Sequence, residues 1–156
     1  MTTMVETKPA INNPLEHLLG YHLRRASVAM MADLSRRLVD LGLTLTEISV
    51  LQLIEANPLI TQSEIGRAIS IKRANIAPIA AGLLARDLVE REAMDGRSQG
   101  LMLTGTGAAL LGQARACMDQ NEDLFLARIS EDDRLRLLNS LRSMWSQLDE
   151  ADKQTD

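Results

Sequence analysis

Apolar residues recur along most of the chain at three- and four-residue intervals, the spacing that gathers them on one face of a helix. The first such run is Leu15, Leu19, Leu23, Ala26, Met30, Leu34 and Leu38. It is preceded by Asn13-Pro14-Leu15-Glu16, where Asn13 reads as an N-cap, Pro14 as the first helical residue and Glu16 as a carboxylate reaching back to the cap. Gly42 supplies the stop. The pattern predicts one long helix over 13–42, about 40 Å long at about 1.5 Å per residue. The polar, aperiodic residues 1–12 read as a flexible arm.

A second helix is placed with Thr46 as its cap, Val50, Leu51 and Ile54 facing inward, and Asn57-Pro58 at its end. Thr61-Gln62-Ser63-Glu64 has the form of a capping box and opens a short third helix through Ile69. From about Lys72 to Arg86, the residues Ile76, Ile79, Ala80, Leu83 and Leu84 share one face of a fourth helix. The period then changes. Leu88-Val89-Glu90-Arg91-Glu92-Ala93 and Gly100-Leu101-Met102-Leu103-Thr104 are strand-like runs, and Asp95-Gly96-Arg97-Ser98 between them is a hairpin turn. Thr104 caps a fifth helix, in which Leu111, Met118 and Phe125 recur at heptad spacing beside Leu110, Ala114 and Cys117. Ser130-Glu131-Asp132-Asp133 starts a sixth, with a stripe of Leu135, Leu138, Leu141, Trp145 and Leu148.

Two short capped helices joined by a tight turn and followed by a hairpin form a helix-turn-helix with a wing. The fold class expected is therefore mainly α with a small β-hairpin wing. Its winged helix-turn-helix core spans 43–104, between long dimerisation helices over 13–42 and 105–149, with an acidic tail over 150–156. A DNA-reading core needs only the middle of the chain, so the outer stripes are expected to bury against a second copy.

Composition changes this picture little. A chain of 156 residues that is 46% hydrophobic can bury one sizeable core. The net charge of −4 counts against a nucleic-acid partner, but acid is concentrated late in the chain, whereas the span 67–97 carries Arg67, Lys72, Arg73, Arg86, Arg91 and Arg97. Cys117 is the single cysteine, which leaves no disulfide framework and no cysteine metal cluster, and it reads as a small buried helix residue. No cofactor is expected. No apolar run approaches the roughly 20 residues of a membrane span, and the N-terminus lacks the form of a leader, so a cytoplasmic protein is expected.

The run from Leu45 to Gly107, with Leu45-Thr46, Leu51, Thr61-Gln62-Ser63-Glu64-Ile65-Gly66, Leu83, Leu88-Val89, Asp95-x-Arg97 and Leu103-Thr104-x-x-Gly107, resembles the MarR family of bacterial transcription regulators. The resemblance implies a homodimer that binds a palindromic operator on double-stranded DNA, usually as a repressor, and releases it when a small, often aromatic, ligand binds. It also implies that Arg97 of the wing enters the minor groove, with Asp95 holding it, and that Lys72 and Arg73 stand at the start of the recognition helix. Two positions depart from the pattern. Asp87 stands where many relatives have glycine before the first wing strand, and Pro78 lies in the second turn of the recognition helix.

Around a helix centred on buried Ile76, the residues Ala74, Ala77, Pro78, Ala81 and Ala85 point outward, toward a major groove. That face is nearly free of hydrogen-bonding groups. Candidates for base-edge contact shrink to Lys72, Arg73 and Asn75, joined by methyl contact from Ala74 or Ala77 to thymine. Much of the specificity is expected from spacing and minor-groove shape, which suits Arg97. Gln62, Ser63, Arg67 and Arg91 are candidate phosphate contacts.

For effector binding, His17, Tyr21 and Arg24 follow one another at helical spacing, with His22 and Arg25 adjacent. Ring nitrogens, a phenol and guanidinium groups on one helix suit an aromatic carboxylate or its CoA thioester. Two alternatives stand beside this reading: redox sensing through Cys117, and a small cytosolic enzyme. The first lacks the expected setting, since Cys117 is in the fifth helix and Tyr21 is the single tyrosine. The second lacks a catalytic motif: Gly105-Thr106-Gly107 has no third glycine at dinucleotide-site spacing, and neither Cys-x-x-Cys nor His-Glu-x-x-His occurs.

Overall fold

The structure, a computed structural model, describes residues 12–94 and 99–152. Six helices and one hairpin follow in the order α1 (Leu19–Leu38), α2 (Leu45–Ala56), α3 (Gln62–Ala68), α4 (Arg73–Ala85), β1 (Val89–Ala93), β2 (Gln99–Leu103), α5 (Gly105–Leu126) and α6 (Glu131–Asp152). This is the winged helix-turn-helix with long flanking helices expected from the periodicity.

The boundaries differ in three places. The first helix starts at Leu19, six residues after the expected cap. Asn13 does not cap it: its Oδ1 accepts from the Leu15 amide at 3.1 Å and its Nδ2 donates to Tyr21 Oη at 2.8 Å, and these bonds hold 14–17 as a turn. Leu15 and Leu19 are exposed, so the outer part of the stripe has no surface against which helix formation would be stabilised. At its other end, α1 passes through a 3-10 turn, Val39–Leu41, to Gly42 in the left-handed region, which is the stop the sequence predicts.

The second helix is capped by Thr44 and not by Thr46. Thr44 Oγ1 accepts from the Glu47 amide at 3.2 Å while Glu47 Oε2 accepts from the Thr44 amide at 2.8 Å, a reciprocal capping box that Thr46 has no partner to form. Thirdly, α6 continues through Asp152, beyond the expected start of the tail at 150, because neither Gly nor Pro interrupts it there. Residues 153–156 and, of the arm expected over 1–12, residues 1–11 lie outside the described residues, as do the side chains of Trp145 and Leu148.

The core is built by α1 to α5 and the wing, and α6 adds no buried side chain to it among the described residues. Leu34 and Leu38 of α1, Ile48, Val50, Leu51 and Ile54 of α2, Ile65 of α3, Ile76, Ala80 and Leu83 of α4, Val89 and Leu101 of the wing, and Leu111 and Ala114 of α5 are all buried. Each fully buried Leu or Ile is worth about 2 kcal/mol of transfer free energy. No single helix among the described residues is long and apolar enough to cross a membrane.

β1 and β2 pair antiparallel, with Val89 opposite Leu103 and Arg91 opposite Leu101. A third strand position, too short to show alternation in sequence, joins them: Leu101 donates to the Ile60 carbonyl at 3.0 Å and Leu59 donates to the Leu101 carbonyl at 3.0 Å. This bridge ties the wing to the α2–α3 loop. Asp87, before the wing, adopts φ 54 in the left-handed region where relatives were expected to use glycine, and Thr104 Oγ1 donates to its carbonyl at 2.7 Å.

Candidate nucleic-acid interface

α3 begins on the capping box the sequence predicts. Thr61 Oγ1 accepts from the Glu64 amide at 3.3 Å, and Glu64 Oε2 accepts from the Thr61 amide at 2.8 Å and hydroxyl at 2.7 Å. Those bonds from Thr61, hydroxyl first and then amide, hold the Glu64 carboxyl below its ordinary value, with the nearby Arg67 charge adding to the effect. α3 then turns sharply, and its axis and that of α4 bend by 117°. Ser70 takes φ 54 within the turn, and the Ile71 amide donates to the Gly66 carbonyl at 2.8 Å. A Cβ on Gly66 would lie 2.6 Å from the Ile71 carbonyl oxygen, so the turn needs glycine there.

This turn carries Arg73 to the foot of the wing. Thr61, Gln62, Ser63, Arg73, Arg91, Gln99 and Leu101 line one polar cleft of about 460 Å³. Two guanidinium groups and several neutral hydrogen-bonding groups around a concave surface suit phosphate oxygens. The structure thus brings together Gln62, Ser63, Arg73 and Arg91. Thr61, Gln99 and Leu101 were missed as lining residues; their place follows from the pairing of β2 with residues 59–60, which sequence periodicity does not reveal.

The other expected residues stand apart from the cleft. Arg67 is exposed in the last turn of α3, Lys72 is the N-cap of α4, and Asn75 is exposed in the first turn of that helix. Ala74, Ala77, Pro78, Ala81 and Ala85 are all exposed, as expected of the outward face. Asp95 and Arg97 lie outside the described residues.

The expected effector cluster is only partly assembled. Tyr21 Oη accepts from Arg25 at 2.9 Å and from Asn13 at 2.8 Å, and the Arg25 guanidinium stands 5.5 Å from the Tyr21 ring centre. The His22 ring meets that of Tyr21 edge-on at 5.3 Å, while its Nε2 donates to the Glu16 carbonyl at 2.8 Å. His17, in contrast, lies in the turn before α1, so its spacing from Tyr21 is not helical; the expectation that it shares a helix face is corrected by the later helix start. Arg24 is exposed and makes no side-chain hydrogen bond among the described residues. Asn13 is the member sequence reading missed, because it was assigned to capping. Cys117 is half-buried against the core.

A profile of the MarR family matches residues 41–98, the span of the core just described. A Thauera aromatica protein assigned to transcriptional regulation of the hcr operon is 31% identical over 133 residues, covering 83% of this chain and 80% of that one. The HTH-type transcriptional repressor NicR of Pseudomonas putida is 28% identical over 146 residues, covering 91% and 92%. Among solved structures, the transcriptional repressor CouR bound to a 23-mer DNA duplex superposes with a TM-score of 0.80 at 33% identity, covering 88% of this chain and 99% of that one. CouR bound to p-coumaroyl-CoA superposes with a TM-score of 0.74 at the same identity, covering 83% and 93%.

Proposed function

The chain belongs to the MarR family of transcriptional regulators, and from that premise we propose that it is a homodimeric repressor of a palindromic operator, released by an aromatic acid or its CoA thioester. The observation that carries the DNA-binding half is the cleft where Arg73 and Arg91 converge with Gln62 and Ser63 at the foot of the wing. In this reading, Gln62, Ser63, Arg67 and Arg91 grip phosphates. Lys72, Arg73, Asn75, Ala74 and Ala77 meet base edges in the major groove, and Arg97, steadied by Asp95, enters the minor groove.

The second copy covers the apolar surface of the long helices. Leu19 and Val28 of α1, Leu124 and Phe125 of α5, and Leu135 and Leu138 of α6 are exposed in the single chain, at costs a dimer removes. The effector half rests on Tyr21, His22 and Arg25, with His17 and Arg24 nearby: a ring face, a phenol and cations suited to an aromatic acyl group and its charged end. The p-coumaroyl-CoA complex of CouR supports a thioester as the first compound to try.

The test is a mobility-shift titration on the DNA upstream of the chain's own gene. Arg91→Ala is expected to weaken binding and to lower the slope of log affinity against log salt by about 1, the signature of one lost phosphate contact. Arg97→Ala is expected to cost about 1–3 kcal/mol. Adding p-coumaroyl-CoA is expected to release the duplex. Unchanged binding by both variants overturns the assigned DNA face, and indifference to p-coumaroyl-CoA and p-coumarate overturns the effector class.

A further inference from the structure

We propose that the Arg115–Glu55 ion pair is a strut that sets the angle of the DNA-reading head against helix α5, and thereby sets operator affinity from outside the DNA surface. The inference rests on the proposed function for its DNA readout, and its second measurement is independent of DNA.

Helix α5 is fixed to the reading head at its first turn. Thr104, its N-cap, donates to the Asp87 carbonyl just after α4 at 2.7 Å, and Gly107 packs so closely that an added Cβ would lie 1.9 Å from the Leu88 carbonyl oxygen. That end is a fulcrum. Arg115 stands eight residues beyond Gly107, about 12 Å along the axis, at the edge of the contact that Leu111 and Ala114 make with the core, where the ion pair can fix the angle at which α5 leaves it.

There α5 meets the C-terminal turn of α2. The Arg115 guanidinium donates through both terminal nitrogens to the two oxygens of Glu55, with one bond of 3.2 Å, and one turn along Gln52 Nε2 lies 3.8 Å from Met118 Sδ. Residues 52 and 55 of α2 therefore oppose residues 118 and 115 of α5. A bidentate guanidinium–carboxylate pair fixes orientation as well as distance.

The other end of α2 grips the recognition helix. Glu47 closes the capping box through Oε2 and accepts from Arg86 Nη1 through Oε1 at 3.1 Å, and Arg86 is the C-cap residue of α4. Between these joints Ile48, Val50, Leu51 and Ile54 are buried, so α2 moves as a rigid piece. The effector side reaches the same helix: Asn121 of α5, 2% exposed, donates to the Met30 carbonyl of α1 at 3.4 Å. A half-exposed ion pair contributes little to stability, so its effect is sought in geometry.

A strut predicts a particular pattern. Glu55→Gln and Arg115→Gln are each expected to weaken binding about two- to fivefold to a duplex selected by the wild-type protein from a random library. A loosened head no longer holds its half-site spacing. The salt slope stays at the wild-type value, because no phosphate contact is lost, and the swapped pair Glu55→Arg with Arg115→Glu restores affinity to within about twofold. Without DNA, hydrogen exchange of the α4 amides is expected to quicken in both single variants and to return in the swap. Wild-type affinity together with wild-type α4 exchange in the single variants overturns the strut. So does a swapped pair that melts at the wild-type temperature and fails to restore either readout. If the wild-type protein selects no duplex, the functional reading fails, while the exchange measurement still decides the strut.

Discussion

At the scale of single residues, close approach and charge pairing set the sharpest constraints. Gly107 sits where an added Cβ would lie 1.9 Å from the Leu88 carbonyl oxygen, and backbone cannot yield there as a flexible side chain would. Gly107→Ala is expected to lose about 3 kcal/mol of unfolding free energy, measured by urea titration, whereas Gly112→Ala, with nothing within 4 Å, is expected to gain up to about 1 kcal/mol from helix propensity. Among the described residues, three carboxyls are held below their ordinary values: Asp33 chiefly by its bond from Arg37, Glu55 chiefly by Arg115, and Glu64 chiefly by the Thr61 hydroxyl. A depressed folded-state value means these groups favour folding above their unfolded values and lose that contribution as pH falls through the lowered ones. The urea midpoint is therefore expected to be level near neutrality and to decline below the ordinary values of 4.5 for Glu and 3.8 for Asp. A midpoint that rises on acidification contradicts this. Gly107 was legible only as part of a motif, because the atom it must avoid belongs to Leu88, at the base of the wing just before β1.

Among the elements, α4 is the one whose chemistry is most fully written in sequence. Its buried face of Ile76, Ala80 and Leu83 fixes its rotation, and the same period leaves Ala74, Ala77, Pro78 and Ala81 outward. Apolar side chains discriminate bases through the thymine methyl group. Replacing thymine by uracil at a position under α4 in the selected duplex is expected to cost about fourfold in affinity, the roughly 0.8 kcal/mol of one buried methyl. Equal affinity for every uracil-substituted duplex removes the methyl contact. The start of α1 was read less well. Asn13, Pro14 and Glu16 carry helix-start chemistry, yet Asn13 is drawn to Tyr21 Oη and His22 to the Glu16 carbonyl, and local propensity yields to those bonds. The cap of α2, in contrast, was legible: Thr44-x-x-Glu47 has the spacing of a capping box, whereas the third residue after Thr46 is Ser49, which has no carboxylate to close one.

For the whole molecule, the unresolved demand is the apolar surface of α1, α5 and α6. Leu138→Glu places a charge on that surface while leaving the core of the reading head untouched. Sedimentation is expected to show a monomer in place of a dimer, with operator affinity falling sharply because one half-site is then bound at a time. A variant that stays dimeric moves the interface elsewhere. Sequence by itself determined the order and type of the elements, the inward faces of α2 and α4 and the capping box of α3, because these depend on contacts within a few residues. Only the tertiary structure decided the rest: the Ile60–Leu101 bridge that seats the wing, the cleft shared by Arg73 and Arg91, the Tyr21–Asn13 bond and the Arg115–Glu55 ion pair. Each joins residues from separate elements, and periodicity along a chain fixes which face a residue occupies without fixing what that face meets.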